Sequence, residues 1–69
     1  MPIIEMHLLE GRTVEQRRAA VAAITEAVTR SLGVKAESVR ILITQHDKDE
    51  FSVAGVTVGS KLEDGNATN

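Results

Sequence analysis

The sequence predicts an α/β (α+β) fold: a single β-α-β unit with a short C-terminal hairpin, oligomerising through its sheet. Three stretches predict it. Residues 3 to 9 alternate in polarity with a period of two, residues 14 to 32 repeat apolar side chains at helical spacing, and residues 39 to 45 form a second strand-like run. Strand, helix and strand in that order imply a right-handed crossover joining parallel strands. One helix covers only one face of a two-stranded sheet, so apolar residues pointing the other way, Ile3 and Leu9 among them, need a second copy of the chain.

Composition supports that requirement. A chain of 69 residues buries too little apolar surface to be comfortable alone. There is no cysteine for a disulfide, and two histidines without a third suitable ligand argue against a structural metal, so self-association remains as the staple. No apolar run reaches membrane-spanning length, and residues 1 to 10 have neither a basic start nor a small-residue cleavage site, so a cytoplasmic protein without membrane contact is expected. The net charge is −2 and Phe51 is the single aromatic, which leaves neither a basic stripe nor a stacking platform for nucleic acid.

The elements follow in order. In the first strand Ile4, Met6 and Leu8 make an apolar face, and Ile3, Glu5, His7 and Leu9 make a mixed one, where a hydrogen-bonded Glu5–His7 pair at a subunit interface is the expected reading. Glu10-Gly11-Arg12 turns the chain. Thr13-Val14-Glu15-Gln16 then fits a capping box that starts a helix near Val14. Val21, Ile24, Val28 and Leu32, with Ala20 and Ala27, form its inward stripe, and Arg17-Arg18 reads as a solvated charged face. Gly33 ends the helix. After the second strand, residues 46 to 50 are a polar loop and Phe51 to Val58 a short hairpin. The domain therefore spans residues 1–60, and residues 61–69 read as a disordered tail carrying the sequon Asn66-Ala67-Thr68.

Three positions are candidates for chemistry, with a strand-starting proline as the plain reading of Pro2 and a solvated loop arginine as the plain reading of Arg12. Pro2 stands directly behind the initiator methionine, and removal of Met1 gives it a free secondary amine able to take and return a proton. Arg40 sits in an apolar strand, where a guanidinium that cannot shed its charge needs an anion, a carboxylate or the subunit surface. Arg12 follows the first strand, and the two arginines together suit a doubly anchored acid.

Met1-Pro2-Ile3, Leu8-Leu9-Glu10-Gly11-Arg12-Thr13, Glu15-Gln16, Ser38-Val39-Arg40-Ile41-Leu42-Ile43-Thr44 and Phe51 resemble the 4-oxalocrotonate tautomerase family over about residues 2 to 60. Pro2, Arg12, Arg40 and Phe51 all stand at the spacing that family uses. The resemblance implies a homohexamer built as a trimer of dimers and a cofactor-independent, metal-free isomerase. It implies catalytic roles for Pro2, as general base and then acid, and for Arg40, contributed by a neighbouring subunit. Arg12, Arg40, Phe51 and Leu9 would bind substrate. The implied substrate is a small dicarboxylate or 2-oxo/2-hydroxy acid, such as 2-hydroxymuconate in the breakdown of aromatic compounds.

Elementary physics agrees with those roles. A terminal amine titrates near pH 8, and desolvation by Phe51 and the positive charge of two arginines both push it down toward neutrality. Planar guanidiniums hold carboxylates through paired hydrogen bonds and stabilise a developing oxyanion. Ser52-Val53-Ala54-Gly55 departs from the family's glycine-richer run, and Ser52 and Val53 stand where related dehalogenases carry a water-activating glutamate, which disfavours hydration chemistry. Two other readings stay open at this point: a catalytically silent subunit of a hetero-oligomer, and a small-carboxylate-binding module that uses the arginines without proton transfer.

Overall fold

A computed structural model describes residues 1 to 63. Strand β1 (Ile3–Leu9) pairs in parallel with β2 (Arg40–His46), with Ile3 opposite Arg40 and Leu9 opposite His46. The 19-residue helix α1 (Val14–Leu32) connects them, followed by a 3₁₀ turn over Ala36–Ser38. The expected β-α-β unit is therefore present, with the second strand displaced by one residue from the expected 39–45.

The ends of α1 are set locally. Thr13 Oγ1 accepts from Gln16 N at 3.1 Å and Gln16 Oε1 accepts from Thr13 N at 2.9 Å, the reciprocal capping box. Gly33 closes the helix at φ 69°, its N–H reaching the Thr29 carbonyl at 3.0 Å. The half-buried residues of α1 are Arg17, Ala20, Val21, Ile24, Thr25, Val28 and Thr29. This stripe corrects the sequence reading at both ends: it begins a turn earlier, at Arg17, while Ala27 is exposed and Leu32 is 62% exposed.

The helix covers one face of the sheet. Ile4, Met6, Leu8, Ile41 and Ile43 are half-buried against it, whereas Ile3 and Leu42 on the opposite face are 63% and 54% exposed. Among the described residues no hydrophobic side chain is fully buried. The apolar residues of the open face have no cover among the described residues.

The C-terminal part differs from expectation. The hairpin consists of two-residue strands, β3 (Ser52–Val53) and β4 (Val56–Thr57), joined through Ala54 at φ 55° and Gly55 at φ 80°. The reduced glycine content thus leaves the turn intact, but places an alanine in the left-handed region. A short helix, α2 (Val58–Glu63), follows and carries the chain through Lys61, where a tail was expected. Thr57 starts it: its Oγ1 accepts from Ser60 N at 3.0 Å and donates to Asp49 Oδ1 at 2.9 Å. The rest of the expected tail, residues 64–69 with the sequon, lies outside the described residues.

Candidate active site

The candidate residues divide between the two ends of the sheet. Pro2 and Arg40 lie at one end. Arg40 pairs with Ile3 in register, and its backbone N–H donates to the Pro2 carbonyl at 2.9 Å. Pro2 is half-buried and Arg40 exposed, with its Nη1 donating to the Glu37 carbonyl. The internal partner that a strand guanidinium requires is thus one carbonyl, which leaves donors free for an anion.

Leu9, Arg12 and Phe51 belong to the other end. Leu9 is half-buried opposite His46, and the next residue, Glu10, donates its N–H to the His46 carbonyl at 2.8 Å. The chain reverses at Gly11, whose φ of 123° suits glycine alone. Arg12 follows in the exposed connection to α1. Phe51 is 43% exposed and lines a depression together with His7, His46, Glu50 and Ser52.

Strand length keeps these halves apart. The seven residues of β1 extend over roughly 20 Å at about 3.3 Å per residue, far beyond the reach of one small acid. A single chain therefore places the backbones of Pro2 and Arg40 at one sheet end, with an Arg40 guanidinium N–H on the Glu37 carbonyl, and Phe51 at the same end as Leu9 and Arg12, but does not bring the two groups together.

Two site neighbours were not legible beforehand. Arg17, expected on a solvated face, is half-buried and donates to the Arg12 carbonyl at 2.8 Å and to Gln45 Oε1 at 3.2 Å. Its position three residues before Ala20 and four before Val21 extends the inward stripe, a signal that its charge masked. His46 meets His7 rather than leaving it to Glu5: His7 Nδ1 and His46 Nε2 are 2.9 Å apart, with ring planes 25° apart. One of these nitrogens carries the shared proton and the other accepts it. Nothing in the spacing of two histidines 39 residues apart announces that contact.

The family profile described as tautomerase enzyme matches residues 2–61. A 2-hydroxymuconate tautomerase of Pseudomonas putida is 42% identical over 55 residues, covering 80% of this chain and 87% of the relative. Among solved structures, a 4-oxalocrotonate tautomerase isozyme from Methylibium petroleiphilum superposes with a TM-score of 0.88 at 59% identity, covering 91% of this chain and 98% of that one. A heterohexameric 4-oxalocrotonate tautomerase from Chloroflexus aurantiacus superposes with a TM-score of 0.82 at 25% identity, covering 86% and 95%. The profile, the relatives and the shared β-α-β architecture converge, and the chain belongs to the 4-oxalocrotonate tautomerase family of isomerases.

Proposed function

We propose that this tautomerase interconverts the enol and keto forms of a small dicarboxylate 2-hydroxydienoate, such as 2-hydroxymuconate, without a cofactor, in cytoplasmic breakdown of aromatic compounds. The observation that carries the proposal is the division of the candidate site. Pro2 and Arg40 stand at one end of the sheet, and Arg12, Leu9 and Phe51 at the other. A proton-transfer end and an anion-binding end become one site when chains pack with their sheets in opposite directions, so that the start of one β1 meets the end of another. The open face with Ile3 and Leu42 supplies the apolar surface for such packing, in a homohexamer arranged as a trimer of dimers.

In this site, removal of Met1 frees the Pro2 nitrogen. Its lone pair takes the proton of the substrate's 2-hydroxyl. The O–H electrons become the carbonyl π bond, the conjugated double bonds shift along the chain, and the protonated amine returns a proton to a chain carbon, so the reaction is balanced without a co-reactant. Arg40, contributed by a neighbouring subunit as the resemblance implies, faces the oxygen where negative charge develops. Arg12 holds the distal carboxylate in a paired hydrogen bond, and Phe51 and Leu9 exclude water, which disfavours the charged form of the amine and so leaves its lone pair free to take a proton.

Ultraviolet assays over a panel of dienols, combined with intact-mass measurement, test the reading. The expected result is turnover of a dicarboxylate dienol by protein that begins at Pro2. Fully active protein that retains Met1 would remove the proline base, and tight dicarboxylate binding without turnover would replace the enzyme by a binding module.

A further inference from the structure

Arg17 has no part in the proton-transfer scheme, yet it is the side chain bonded to the backbone of Arg12. Its neighbour Arg18 is exposed, as a solvated charge should be, whereas Arg17 is half-buried. Partial burial of a guanidinium costs free energy that hydrogen-bond acceptors must offset, because the group cannot become neutral. Here the acceptors are the Arg12 carbonyl at 2.8 Å and Gln45 Oε1 at 3.2 Å. Gln45 belongs to β2 and stands opposite Leu8 of β1. One side chain thus ties the β1–α1 connection, the first turns of α1 and the end of β2 to one another.

The residues flanking Arg12 are already held. The Glu10 N–H is bonded to the His46 carbonyl, and Thr13 is locked in the capping box. Gly11 between them adopts a conformation that few residues share, so this link needs a further restraint to present Arg12 in one direction. The Arg17 bond supplies it through the carbonyl, leaving the Arg12 guanidinium unspent. Both arginines also border one depression of about 230 Å³, with Met6, Leu8, Gln16 and Ala20. Arg17 therefore places a second positively charged residue on the depression that Arg12 borders.

We infer that Arg17 is a positioning and specificity-determining residue: it fixes the backbone of Arg12 and, with its charge, makes this end of the site select substrates that carry a second carboxylate. The inference rests on the role of Arg12 given under Proposed function. It predicts an effect confined to the distal acid.

The test compares Arg17→Met, which keeps length and apolar packing, with Arg17→Lys, which keeps a donor and a charge. Steady-state kinetics are measured with a dicarboxylate dienol and with a monocarboxylate dienol lacking the distal acid. Amide hydrogen exchange is followed at Glu10 and Thr13, both hydrogen-bonded in the native chain. In Arg17→Met, KM for the dicarboxylate should rise about tenfold, the worth of one charge-assisted hydrogen bond, with kcat within about twofold. KM for the monocarboxylate should stay at the wild-type value, exchange at Thr13 should accelerate, and Arg17→Lys should recover part of both effects. Equal rises of KM on the two substrates, or wild-type kinetics and exchange in Arg17→Met, would overturn the assignment. Wild-type protein that turned over neither dienol would sink the functional reading alone. Exchange would then still decide the tether, acceleration supporting it and wild-type protection overturning it.

Discussion

The two ends of the sheet solve the same problem with different parts. In the proposed mechanism Pro2 at the first end must keep its nitrogen available, and Arg12 at the second must keep its guanidinium available. In both cases the chain is anchored by the residue's carbonyl, which serves no chemistry. The donor to Pro2 is the backbone N–H of Arg40 at 2.9 Å, and the donor to Arg12 is the side chain of Arg17 at 2.8 Å. A backbone donor survives every substitution except proline, whereas a side-chain donor is lost with its residue. The difference teaches that the Pro2 end is anchored by the strand ladder itself, while the Arg12 end depends on a side chain outside the strand and can be tuned by mutation.

The strongest way to break the comparison is to keep the ends from meeting. Leu42→Glu puts a carboxylate in the middle of the open face, where Leu42 is 54% exposed in the single chain. Burying an unpaired charge at an interface costs several kcal/mol, so the assembly should dissociate and turnover should vanish, read by sedimentation velocity and the dienol assay together. A compact, cooperative and active monomer would show instead that one chain completes the site.

Arg40→Ala tests the first end alone. The backbone N–H that holds Pro2 remains, so assembly and circular dichroism should be unchanged. kcat should fall roughly a hundred- to a thousandfold, about 2.7–4 kcal/mol for one lost charge-stabilising donor. A change confined to KM would assign Arg40 to binding only.

Gly59→Ala disturbs the second end from behind. Gly59 is buried, its N–H reaches the Lys48 carbonyl at 3.0 Å, and a Cβ there would collide with the Asp49 carboxylate that Thr57 holds. The same turn fixes Phe51, whose carbonyl accepts from Val58 N at 3.0 Å. Overpacking of this kind costs about 1–3 kcal/mol, and the melting temperature at fixed protein concentration should fall accordingly. Unchanged melting would mean that the loop yields without cost.

The smallest effect is expected at Ala54→Gly. Both central residues of the hairpin turn have positive φ, 55° at Ala54 and 80° at Gly55, the two-residue arrangement that favours glycine or asparagine. Relief of the left-handed alanine should stabilise by about 1 kcal/mol or less, a rise of a few degrees in melting temperature. A fall would indicate that the loss of backbone freedom on folding outweighs the strain.

Legibility followed locality. The alternation of Ile4, Met6 and Leu8, the Thr13–Gln16 box and the Gly33 stop depend on neighbours within four residues, and each stands where the sequence predicts it. Helix α2 was missed because Val58 and Gly59 are poor helix formers, and the group that steadies the capping Thr57 is Asp49, eight residues earlier. Arg17 was misjudged because a charge pair on a helix is ordinarily solvated. Its partners, an exposed carbonyl and Gln45 on another strand, carry no mark in the sequence.

By itself the sequence determined the β-α-β order, the parallel pairing and the boundaries of α1, because periodicity and capping chemistry are properties of nearby residues, while its resemblance to the family singled out Pro2, Arg12, Arg40 and Phe51 as candidates. Only the tertiary structure decided which of them share an end. Strand register put Arg40 beside Pro2, carried His46 to His7 and left Arg12 a strand length away from the proline, and register is fixed by long-range pairing that no local pattern encodes.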